Sequence, residues 1–174
     1  AMRRKDFPMA ERAVLIPIEV VETLKAALVI IPALLLVGGL GGSGGFLSGV
    51  MRDWLFSVGA FLLAIVSGAI LTPLLLPWIP GRPFAVKGLI LGIVVAGLLL
   101  WARGVDFGSV PDILLGGAWL LLIPALSAFL AMNFTGASTY TSLSGVRKEM
   151  RWALPLEIGA GLCGMAVLVI SRFF

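Results

Sequence analysis

The chain has 174 residues, 60% of them hydrophobic and only 13% charged, and its mean hydropathy is +1.10. Globular domains run nearer 45–50% apolar and about 25% charged, so a water-soluble domain with a polar surface is excluded. A balance of 13 Lys+Arg against 9 Asp+Glu, net +4, is too diffuse to form a nucleic-acid stripe, and no nucleic-acid partner is expected. The absence of histidine and the presence of one cysteine, Cys163, leave no imidazole zinc or haem site and no intrachain disulfide or CxxC pair.

Ala1 precedes Met2, which reads as a junction scar, and the expectation is a piece of a longer protein. Residues 1–23 form a juxtamembrane lead-in. Arg3, Arg4 and Lys5 are not followed by a short apolar stretch with a cleavage site, so no signal peptide is expected. Within the lead-in, Ala13–Glu19 is apolar but too short to cross, which fits an interfacial segment. Glu19, Glu22 and Lys25 follow at a spacing that allows pairing at the helix mouth.

Residues 24–174 form the transmembrane domain. A helix needs about 20 mostly apolar residues to cross roughly 30 Å of hydrocarbon. Five segments qualify: 24–40, 55–79, 84–102, 113–134 and 152–170. The stretches Ala26–Met51, Trp54–Gly81 and Ile113–Val146 carry no ionised side chain. A membrane β-barrel would instead alternate over segments of about ten residues. The expected fold is an all-α bundle of five transmembrane helices. With the N-terminus inside, nine Lys/Arg fall in inner segments against three in outer ones, the bias of a cytoplasmic N-terminus and a periplasmic C-terminus. Trp54, Trp78, Trp101 and Trp152 at span ends agree with an interfacial belt.

Gly39-Leu40-Gly41-Gly42-Ser43-Gly44 matches the dinucleotide fingerprint in letters only. It follows a membrane helix instead of a strand, so Gly38–Gly45 reads as a turn between spans one and two. Asn133-Phe134-Thr135 is formally a glycosylation sequon, but the topology puts it on the cytoplasmic side. Gly88, Gly92 and Ala96, Ala160 and Gly164, and the Gly116-Gly117 pair have the small-residue spacing of close helix contacts. Pro32, Pro73, Pro124 and Pro155 fall within spans and can kink them.

Three features could carry chemistry. Glu157 lies one to two turns into span five, where an unpaired carboxylate is expensive. It reads either as a cavity-lining, proton- or cation-handling group or as a residue near the inner interface bonded to a neighbouring helix or to Arg151. Cys163, near the middle of the same span, reads as an inert packing group or as a soft ligand. The segment from Asn133 to Arg151 is hydroxyl-dense, with Thr135, Ser138, Thr139, Tyr140, Thr141, Ser142 and Ser144, and ends in Arg147, Lys148, Glu149 and Arg151. It fits either a solvated loop capping the next helix or a docking surface for a cytoplasmic partner.

The run Asn133–Val146, followed by Arg147-Lys148-Glu149-Met150, resembles the C-terminal membrane domain of the mercury-methylating corrinoid protein family (HgcA). Leu76-Pro77-Trp78-Ile79-Pro80-Gly81-Arg82, Phe84 and Lys87-Gly88 are similar to that family's second inner connection. The resemblance covers the chain from about Pro17 onward. It implies a bacterial or archaeal cytoplasmic membrane protein of anaerobes. Its full-length relatives carry an N-terminal cytoplasmic cobalamin-binding domain that methylates Hg(II), with a ferredoxin-like iron–sulfur partner (HgcB) supplying electrons. None of that catalytic machinery lies in this sequence, so no catalytic residue, firm metal ligand or bound cofactor is assigned to it; the corrinoid belongs to the missing domain. The expected role is to anchor and orient that domain through Arg82, Lys87 and the Asn133–Arg151 segment. A sharper expectation is a path for mercury species lined by Glu157 and Cys163. The rival readings are a small stand-alone permease and a structural membrane subunit of a redox complex.

Overall fold

Long apolar stretches joined by Pro- and Gly-containing connections fold as helices, because the backbone of an apolar segment must satisfy its own polar groups in lipid. The computed structural model describes residues 9–39, 54–106, 108–137 and 143–173, and among these residues there is no strand. The helices are α1 (Met9–Gly39), α2 (Leu55–Leu75), α3 (Phe84–Arg103), α4 (Val110–Ala137) and α5 (Leu143–Ile170). Among the described residues four spans, Leu55–Leu75, Phe84–Arg103, Val110–Asn133 and Arg147–Ile170, are long and apolar enough to cross a membrane. The apolar part of α1, Thr23–Val37, is shorter; at 1.5 Å per residue it covers about 22 Å. The chain thus has the character of a multi-pass membrane protein, with large apolar side chains such as Leu28, Leu98, Trp101 and Leu162 left exposed for lipid.

Two boundaries differ from those expected. The first helix begins well before the expected span: α1 runs unbroken from Met9 through the expected lead-in, with Pro17 and Pro32 inside it. Each proline removes one hydrogen bond, a loss an apolar ladder absorbs because no water competes for the rest. The second span stops at Leu75 instead of Ile79, since Pro77 has no N–H to continue the ladder and disfavours helical backbone at Leu76. The Gly-rich turn expected after the first span lies largely outside the described residues.

Inside α2 the residues Val66–Leu71 are wound as a π-helix between two α-helical pieces. Pro73 follows one residue later, after Thr72, and cannot donate to the ladder. The wider winding lets the Ser67 carbonyl accept both the Thr72 N–H and, at 2.8 Å, the Thr72 hydroxyl. The expected kink at Pro73 is therefore resolved as a π segment.

The core sits around α4, which packs most extensively on α3 and α5 and also meets α1 and α2. Gly88, Gly92 and Ala96 form one stripe of α3 against α4, as their spacing predicts, and all three are buried. Gly164 meets Leu122 and the Ala118 carbonyl in the same way, whereas Gly117 faces open space. Adjacent glycines lie about 100° apart around a helix, so both members of the pair could not face one neighbour.

A chain of two hydroxyls crosses this core. Ser127 Oγ donates to the Gly88 carbonyl at 2.8 Å and lies 2.9 Å from Ser67 Oγ, with both serines fully buried. The single Ser127 proton is committed to Gly88, so Ser67 donates to Ser127 and α2, α4 and α3 are linked. Ser127→Ala strands the Ser67 hydroxyl and should destabilise by about 1 kcal/mol, while Ser67→Ala leaves the Ser127–Gly88 bond and should cost less than about 0.5 kcal/mol. Thermal unfolding in detergent checks that order; equal losses would break the assigned direction.

The α3–α4 connection is fixed at both ends. Gly104 takes φ +68°, its N–H bonds the Trp101 carbonyl, and the Val105 N–H bonds the Leu100 carbonyl, a Schellman ending for α3. Arg103 sits in the last turn, where a cation opposes the helix dipole. Its guanidinium lies 4.0 Å over the Phe56 ring, which meets Trp119 edge-on at 6.1 Å. Ser109 Oγ accepts the Asp112 N–H at 3.4 Å, capping α4.

Candidate functional site

The first candidate region is the end of the bundle where α3 begins. Helix α3 starts after Pro83, which offers no side-chain cap, so its first N–H groups need outside acceptors. The Glu149 carboxylate, from the start of α5, accepts the Ala85 N–H at 2.7 Å. An acid at a helix N-terminus also meets the positive end of the dipole. At the other side of the same connection, Lys87 Nζ donates to the Leu76 carbonyl at 2.5 Å, placing a cation at the C-terminal end of α2. These two bonds tie the 76–84 connection to both neighbouring helices. Gly81, with φ +109°, allows the turn between Pro80 and Arg82.

The tie leaves a cationic rim. Arg82, Arg147, Lys148 and Arg151 are all exposed, while Lys87 is half-buried on Leu76. Asn133 is exposed near the end of α4. Thr135 and Ser144 lie within α4 and α5, and Ser138, Thr139, Tyr140, Thr141 and Ser142 lie outside the described residues. Glu149, the single acid within the run Arg147–Arg151, is the residue of this region that the sequence did not single out.

The second candidate region lies in the apolar interior. Helix α5 rests mainly on α4, so gaps remain on both flanks of that contact. One cavity of about 300 Å³ lies among α1, α2, α4 and α5; another of about 320 Å³ lies among α3, α4 and α5. Glu157 and Ala125 line both, forming the partition between them. The carboxylate oxygens of Glu157 are buried and have no hydrogen-bond partner among the described residues, and the same holds for Trp119 Nε1, another residue of the first cavity.

Glu157 and Cys163, expected to line one path, lie on different faces of α5. Six positions at about 100° each place the two side chains about 120° apart around α5. Cys163 is exposed and lines neither cavity. Nor does Arg151 hydrogen-bond Glu157, whose oxygens have no partner among the described residues. Among the described residues no group of three or more His, Cys, Asp or Glu could hold a metal ion. No family model, characterised protein or solved structure matches the chain.

Proposed function

We propose that this chain is the membrane domain of a corrinoid-dependent mercury methyltransferase, a bundle that anchors a cytoplasmic corrinoid domain and orients it at the bilayer surface. The observation that carries the reading is the Glu149–Ala85 hydrogen bond. It joins the two connections on which the family resemblance rests, 76–88 and 133–150, at one end of the bundle, and it leaves Arg82, Arg147, Lys148 and Arg151 exposed there. Four exposed cations at one bundle end fit a cytoplasmic orientation and give an anionic protein surface a complementary face. In this reading the methyl transfer belongs to the corrinoid domain, the electrons to a ferredoxin-like partner, and no residue of this chain holds the cofactor.

The reading requires that the frame upstream of Arg3 encode a corrinoid-binding domain. In that full-length protein, a photo-crosslinking residue at Lys148 should capture the corrinoid domain, whereas one at Asp106, beyond the far end of α3, should not. Glu149→Ala, which frees the α3 start, should lower the Lys148 crosslink at least threefold; Glu149→Gln, which keeps an acceptor, should retain it. Equal capture from both positions, or none from Lys148, overturns the docking face. A stand-alone permease is favoured by one observation, the buried carboxylate between two cavities. A complete reading frame that lacks any corrinoid domain would select it.

A further inference from the structure

We infer that the first cavity is a binding site for a small lipophilic ammonium ion, held by Glu157. This site stands apart from the docking face and does not rest on the anchor reading.

Charge comes first. Glu157 presents two buried oxygens with no donor on either among the described residues, in walls otherwise built of apolar residues such as Leu34 and Ile123. A carboxylate without a partner in such surroundings is strongly unfavourable. A cationic donor entering the cavity supplies what the protein leaves out. The wall chemistry then selects the kind of cation. A hard divalent ion needs about six oxygen ligands, and these walls contribute one carboxylate and no other anionic or amide side chain. Three aromatic residues, Phe61, Trp119 and Phe129, line the same space. Aromatic faces together with a single carboxylate suit an organic ammonium, through cation–π attraction and one charge-assisted hydrogen bond.

Size and access narrow it further. The cavity of about 300 Å³ is roughly twice the 150 Å³ of an engineered cavity that accepts benzene. A ring or branched alkyl group with a short ammonium arm fits; a phospholipid does not. Helix α5, which forms one wall, is largely exposed along Leu156, Leu162 and Met165, so a ligand dissolved in the bilayer can approach from the lipid side. The unpartnered Trp119 N–H offers a second point of attachment for a ligand that carries an acceptor.

The test uses the full chain in nanodiscs of phosphatidylcholine, which carry no net charge to concentrate cations. The probe is 4-fluorophenethylammonium, read by fluorine NMR. Saturable binding is expected, competed by unlabelled phenethylammonium. Glu157→Gln should weaken it at least tenfold. Gly161 also lines the cavity, and a Cβ built there meets nothing within 4 Å. Gly161→Leu should therefore fill the space and abolish binding while Glu157 stays in place. Cys163→Ala, on the lipid-facing side, should bind as the unsubstituted chain does. Circular dichroism and size-exclusion profiles establish that each variant is folded. The proposal is overturned if the unsubstituted chain shows only non-saturable partitioning. It is also overturned if Glu157→Gln or Gly161→Leu binds undiminished, or if neutral 4-fluoropropylbenzene binds as tightly as the ammonium.

Discussion

Gly92→Leu is expected to abolish the folded bundle, with a loss of at least about 3 kcal/mol, at the upper end of overpacking effects. A Cβ at Gly92 would stand 2.5 Å from the Pro124 Cα and 3.2 Å from the Ile123 carbonyl. These are backbone atoms of α4, and no rotamer change moves them aside. One turn earlier the same obstruction recurs at Gly88, where a Cβ would meet the Ser127 carbonyl at 2.5 Å and the Ala128 Cα at 2.8 Å. Any side chain at either position must push α3 off α4, and that separation also breaks the Ser127–Gly88 hydrogen bond. Gly97 supplies the contrast within the same helix: a Cβ there meets nothing within 4 Å. Gly97→Leu should fold normally and gain up to about 1 kcal/mol from lost chain entropy. Monodispersity on size-exclusion chromatography and thermal midpoint in detergent separate the two. Equal midpoints for Gly92→Leu and Gly97→Leu would show that the α3–α4 approach is not what holds the bundle.

That contact was legible in the sequence because a four-residue repeat of small side chains has a direct geometric meaning on a helix. The helices themselves were legible for a similar reason: apolar length alone decides what can cross a bilayer. Features that depend on which helix meets which were not. Glu149 looked like one charge in a basic run, and its use as the cap of α3 depends on α5 standing beside that helix start. The Ser67–Ser127 link joins residues 60 positions apart, and neither serine has a local signal. The angle between Glu157 and Cys163 is contained in the sequence, and the two residues face different surroundings around α5, Glu157 on the cavities and Cys163 exposed. The π segment was half legible: Pro73 announced a disturbance, but only the Thr72 contacts to the Ser67 carbonyl show how the ladder is repaired.

The cavity containing Glu157 makes a second large effect measurable without any ligand. Glu157→Leu is expected to stabilise the folded chain by about 2 kcal/mol, the scale of relieving a buried polar group that has no partner. The usual escape for such a group is solvent, and here the surroundings are apolar side chains and the lipid-facing side of α5. A leucine would keep most of the volume, add apolar contact in the partition between the cavities, and leave no orphaned oxygen. Glu157→Gln should help less, because an amide in either orientation still lacks partners among those walls. The expected order of thermal midpoints in detergent is therefore Leu above Gln above Glu, with the extremes separated by several degrees. A lower midpoint for Glu157→Leu would mean that the carboxylate has a stabilising partner in the folded protein, and both the empty-handed carboxylate and the cation site built on it would fall together. If the order holds, the chain carries a destabilising group that a single substitution removes, the pattern expected where a side chain is kept for binding instead of for packing.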